Sequence, residues 1–145
     1  MHFRTQEILQ IDFESLENAR TFPEVLKDFL SWCGDRVHFC TWGPLDLYEL
    51  QRNLRYYGLE NPFRTPLCYY DIQKLFSIVY EDRKIKRSLE YAAGFLQIAK
   101  GLSFHSALNY ALYTAEILRH LPSKTALRNY SIDYFQNPKN RKEEI

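Results

Sequence analysis

Cysteine is scarce and unpatterned in this chain. Cys33, Cys40 and Cys68 are odd in number and no two form a C-x-x-C pair. That argues against a disulfide scaffold and against Cys/His zinc spacing, and predicts reduced thiols in a cytoplasmic protein. An excess of either charge is also missing: 19 Lys and Arg face 18 Asp and Glu, a net charge of +1. No global basic field announces a nucleic-acid binder. No apolar run approaches the length of a membrane span, and the start MHFRTQEILQ lacks the basic-then-apolar pattern of a signal peptide, so no membrane partner is expected. The glycines form no Gly-rich phosphate loop, and there is no G-x-S-x-G elbow, internal repeat or low-complexity segment. What remains is 145 residues, enough for one domain, 46% hydrophobic and 26% charged, with 11 Tyr and 10 Phe. This is the composition of a globular chain.

Residues 1–21 are polar and poorly periodic until ESLENARTF, and read as a lead-in to the domain. Pro23 suits the first turn of a helix whose apolar face is Phe22, Leu26, Phe29 and Leu30, with Gly34 as its stop. Arg36–Trp42 is the best strand, short and rich in β-formers between Gly34-Asp35 and Gly43-Pro44. A helix from Pro44 to Tyr57 follows, with Leu47, Leu50 and Leu54 on one side and Gly58 at its end. Asn61-Pro62 and Pro66 mark a loop, Cys68–Ile72 a second short strand, and Leu75, Phe76 and Val79 the next helix. After the charged stretch EDRKIKR comes a helix over Ser88–Leu96 and a turn at Lys100-Gly101. The last helix is Phe104–Leu121. Phe104, Ala107, Leu108, Ala111, Ala115 and Leu118 recur at three-and-four spacing and are its predicted buried face. Ser103 or Ser106 caps it and Pro122 ends it. The order is α/β. Two short strands give these helices little to pack on, so the sheet is completed by a partner or lacks its first strands. The expected domain is 1–122, with 123–145 a polar tail.

The residue patterns that bear on chemistry are few. In Thr41-Trp42-Gly43-Pro44-Leu45-Asp46 a strand ends, the chain turns, and a carboxylate lies in the first helical turn, where the helix dipole alone would favour it. His105 lies at a helix entrance, a place for a cap or for a group titrating near neutrality. The run Arg83-Lys84-Ile85-Lys86-Arg87, the pair Arg52 and Arg55, and the pairs Tyr56-Tyr57 and Tyr69-Tyr70 are candidate phosphate or base contacts, or simply solvated loop, ion pair and core.

His105, Ala107, Leu108, Asn109 and Ala111 resemble the His-x-Ala-x-x-Asp-Ala third motif of the DEDDh-type 3′→5′ exonucleases, the DnaQ-like members of the ribonuclease H-like superfamily. Trp42-Gly43-x-x-Asp46 resembles the second motif. The resemblance covers roughly residues 5–121. It implies a partial ribonuclease H-like exonuclease fold, helix-rich, without the first strands of the mixed sheet. It makes His105 the general base that activates water and Asp46 a ligand for Mg²⁺ or Mn²⁺. The implied partners are 3′ ends of single-stranded DNA or RNA.

Two departures weigh on activity. Tyr110, a neutral phenol, stands where the family has a metal-binding aspartate. Ile11-Asp12-Phe13-Glu14 looks like the first motif, but only Ser15–Thr21 separates it from the first helix, too short for the strands that follow that motif in the family. Glu14 is therefore read as a turn residue and Asp12 as the cap of a short helical turn. Three readings stay open: an exonuclease-family protein inactive or strongly impaired; a non-catalytic interaction or nucleic-acid-binding module, completed by a partner or a second copy; and a rearranged active site using Asp12, Glu14, Asp46 and His105.

Overall fold

The computed structural model describes residues 16–35, 37–63, 67–98, 101, 103, 104, 106–124 and 131–133. In chain order these form α1 (Phe22–Cys33), β1 (Phe39–Thr41), α2 (Leu45–Tyr56), β2 (Leu67–Asp71), α3 (Ile72–Tyr80), α4 (Leu89–Phe95), α5 (Ala107–His120) and β3 (Ser131–Asp133). Each predicted strand and helix has its counterpart, with β1 shorter than expected and α5 starting three residues later.

Local chemistry explains most of the boundaries. Glu24 reaches back to Thr21, accepting from its backbone N–H and its hydroxyl at 2.7 Å each, so the first turn of α1 is closed ahead of Pro23. Gly34 ends that helix with φ at 65°, a left-handed value a side chain would disfavour. Asp71 caps α3 by accepting from the Lys74 N–H at 3.0 Å, and Ser88 caps α4 by accepting from the Tyr91 N–H at 3.1 Å. Ser106 occupies the cap position of α5 without a side-chain bond there; instead the Asn109 amide donates to the Ser103 carbonyl at 2.9 Å.

β1 and β2 run parallel, with Phe39 opposite Tyr69, Cys40 opposite Tyr70 and Thr41 opposite Asp71, and α2 is the crossover between them. β3 pairs antiparallel with β2, Cys68 opposite Ile132, so the sheet order is β1-β2-β3. The predicted tail 123–145 thus contains a strand, where polar composition had suggested none. A three-residue strand is too short to leave a periodic signal.

Strand alternation divides the core between the two faces of the sheet. On one side Leu47 of α2 meets Leu67 and Tyr69, with Phe39, Leu50 and Phe63 around them. On the other side Ile72, Leu75 and Phe76 of α3, Leu89, Ala92 and Ala93 of α4, and Tyr113, Ile117 and Leu121 pack as one cluster against Cys40, Trp42 and Tyr70. Each fully buried Ile, Leu or Phe of that cluster contributes about 1.5–3 kcal/mol.

The buried face of α5 differs from the predicted one. Tyr113, Thr114 and Ile117 face the core, while Ala107, Leu108, Ala111 and Ala115 are exposed, Leu108 at 67%. Of the predicted face only Phe104 and Leu118, both half-buried, pack against the core; small and apolar residues recur on two arcs of this helix, and spacing alone favoured the exposed one for the rest.

Candidate functional site

The site suggested by the sequence is centred on the turn from β1 into α2. It lies at the carboxyl end of the parallel pair, where ligands bind in open α/β sheets. Buried Thr41 ends β1, and its hydroxyl donates to the Gly43 carbonyl at 2.6 Å, folding the chain back on itself. Gly43 has φ at 91°, a backbone conformation open to glycine, and a Cβ there would lie 3.5 Å from Oε1 of Gln73. The other end of Gln73 donates to the Arg87 carbonyl at 2.8 Å, tying this turn to the loop before α4. Asp46 follows as the second residue of α2. The residue keeps an exposed surface, yet protein crowded around its carboxyl desolvates it and pushes its pKa up; its own backbone N–H opposes that in part. Trp42 packs beside Phe76 at 6.2 Å between ring centroids, and its buried indole N–H has no acceptor among the described residues.

α5 packs on β1 as well as on α3 and α4, so the helix bearing the third-motif residues and the strand leading to Asp46 are neighbours. Tyr110 lies in that helix, partly exposed, with its carbonyl accepting from the Thr114 hydroxyl at 2.8 Å. His105, Asp12 and Glu14 lie outside the described residues.

Among the described residues no three His, Cys, Asp or Glu side chains gather as a metal would require. Asp46 with the phenol of Tyr110 does not fit Mg²⁺ or Mn²⁺, which demand several hard oxygen ligands in near-octahedral geometry. No step through a metal is derived from this set.

The other candidates resolve toward structure. Tyr69 is core on the α2 side and Tyr70 faces the opposite side, so the pair is not one stacking surface. Tyr57 stacks on Phe22 at 5.7 Å and meets Tyr56 edge-on. Arg52 pairs with Glu49 at 3.1 Å on the helix surface. In the basic run, Arg87 is held: its guanidinium donates twice to the Glu81 carboxylate, at 2.9 and 3.2 Å, and lies over the Tyr91 ring at 4.4 Å. Composition did not reveal this clamp; the six-residue separation of Glu81 and Arg87 has no helical periodicity to give it away. Arg83, Lys84 and Lys86 remain exposed.

Compared with protein-family models, curated proteins and solved structures, the chain matches none.

Proposed function

We propose that the chain is a DEDDh-type, DnaQ-like 3′→5′ exonuclease-family protein with a partial ribonuclease H-like fold, inactive or strongly impaired in catalysis. The observation that carries this reading is the juxtaposition at β1. That strand leads through a Trp-Gly turn into a helix whose first turn holds Asp46, and the helix bearing the third-motif residues packs on the same strand. The family hydrolyses nucleic-acid 3′ ends with two divalent metals that bridge the scissile phosphate. Here Tyr110 withholds one ligand and only Asp46 matches the rest, so a metal pair is not assembled, and His105 would have no metal-bound water to act on.

A 3′-end degradation assay on labelled single-stranded DNA and RNA with excess Mn²⁺, beside a His105→Ala control, tests this. The expected result is no difference between the two proteins, and no rescue by Tyr110→Asp. A robust rate abolished by His105→Ala would overturn the impaired reading and make Asp12 and Glu14 the ligands to test. A second reading, a non-catalytic interaction module on the same fold, is favoured by the uncovered apolar arc of α5.

A further inference from the structure

We propose that the loop Asp82–Arg87, with the exposed ring pair Tyr91 and Phe95 beside it, is a contact surface for single-stranded nucleic acid, its cations taking phosphates and its rings taking bases. The inference deepens the exonuclease-family reading, on which it rests for placing a strand at the β1–α2 turn.

The loop joins α3 to α4 and is stitched along its length. The Ser77 hydroxyl donates to the Ile85 carbonyl, the Gln73 amide to the Arg87 carbonyl at 2.8 Å, and the Ile85 N–H to the Asp82 carbonyl at 2.8 Å. The acids at its start are engaged. Glu81 takes the Arg87 guanidinium, and Asp82 accepts from the Lys84 backbone N–H at 3.1 Å. Arg83, Lys84 and Lys86 are left exposed, with no ion-pair partner among the described residues. Over 81–87 four cations face two acids, a net charge of +2 against +1 for the whole chain. One further acid, Glu90, lies in the first turn of α4. Cations on a fixed backbone lose little chain entropy when they meet an anion, so a stitched loop is a better anion contact than a slack one.

The rings narrow the choice of anion. Arg87 lies over Tyr91 at 4.4 Å, and Tyr91 stacks on Phe95 with centroids 6.3 Å apart. Spaced by four residues, the three form one ridge, on which Tyr91 is 41% and Phe95 49% exposed. Single strands are held by this combination, backbone on cations and base faces on aromatic rings. An acidic peptide would use the cations and leave the rings uncovered. Gln73 fixes where the strand runs. Its Oε1 lies 3.5 Å from the position a Cβ on Gly43 would take, so one side chain adjoins both the loop and the turn leading to Asp46. A strand on the loop therefore passes beside the carboxyl end of β1.

The test is fluorescence anisotropy of the full chain with a labelled single-stranded oligonucleotide of mixed sequence, across a salt series. Saturable, salt-sensitive binding is expected. In Arg83→Gln/Lys84→Gln/Lys86→Gln the slope of log K against log salt should flatten by about two, since each single-strand phosphate contact contributes about 0.7, and affinity at low salt should fall by about tenfold or more. The circular-dichroism melt of that variant should match the native one, because the three side chains are exposed and unpaired. Phe95→Leu keeps an apolar side chain but loses the stacking face, and should weaken binding by about fivefold or more with the slope unchanged. The proposal is overturned by the absence of saturable binding, or by either variant binding as the native protein does. Competition by polyglutamate as strong as by the unlabelled oligonucleotide overturns it in favour of an acidic peptide. Binding to phosphatidylserine-containing vesicles but not to the oligonucleotide overturns it in favour of a membrane surface. Anisotropy reads binding and the 3′-end assay reads degradation, so an oligonucleotide bound but not shortened satisfies both readings, and either can fail alone.

Discussion

Glu81 is the residue on which the loop before α4 depends. It accepts from Nε and Nη2 along one edge of the Arg87 guanidinium and from the Tyr91 hydroxyl at 3.0 Å. The Arg87 hydrogen bond, then the Tyr91 one, hold its carboxyl below the ordinary glutamate value of 4.5. A lowered acid contributes stability that is complete above its unfolded value and lost as pH falls through the folded one. The Tm advantage of the native protein over Glu81→Gln should therefore be constant above about pH 5 and shrink below it; an advantage that persists unchanged at pH 3 would mean the clamp is not ionic. Asp46 has the opposite sign. Its carboxyl is raised from 3.8, so the folded state resists its ionisation and the cost appears as pH rises past that value. Asp46→Asn should gain in Tm relative to the native protein between about pH 3.5 and 7, by the small amount expected of a surface site, within roughly 0.5 kcal/mol. A series of melts across that range reads both variants. The place of Asp46 in the first turn of α2 was legible in the sequence because a carboxylate after a Trp-Gly turn is a local pattern; its raised pKa was not, since that depends on what crowds around it.

At the scale of elements, α5 shows where periodicity stops being informative. Ala107, Ala111 and Ala115 repeat every four residues, as a core stripe would, but the core arc is Tyr113, Thr114, Ile117 and Leu121. Thr114 is buried with its hydroxyl donated to the Tyr110 carbonyl, so a polar residue sits inside at little cost. Tyr113 stacks on Phe104 at 4.3 Å. Hydroxyl-bearing residues look like surface in a hydropathy pattern, and the pattern misleads when their polar atoms are satisfied locally. Ile117→Ala should cost about 2–5 kcal/mol and Leu108→Ala no more than about 0.5 kcal/mol in urea unfolding. The reverse ranking would restore the Ala/Leu face as the buried one. The ends of α1, by contrast, were readable: Pro23 and Gly34 mark them because each acts within a few residues of itself.

For the whole molecule, the α/β character followed from element order, whereas β3 did not. Its pairing joins residues more than sixty positions apart, and no local signal encodes that. β3 covers the edge of β2 that β1 leaves free. Substituting Pro at both Ser131 and Ile132 removes an inward N–H whichever of the two faces β2. Amide exchange within 67–69 should accelerate in that variant while α4 stays protected; unchanged exchange would mean β3 adds nothing to the sheet. Two of the strands also carry their own chemical clock. Cys40 lies half-buried in β1, and burial pushes its thiol up, so little of the reactive thiolate forms near neutrality. Cys68 is exposed in the neighbouring strand. Followed site by site, with Cys33 of α1 as a separate third thiol, alkylation should therefore reach Cys68 ahead of Cys40. Opening of the sheet would speed the reaction of Cys40 and leave that of Cys68 as an internal reference within the same molecule.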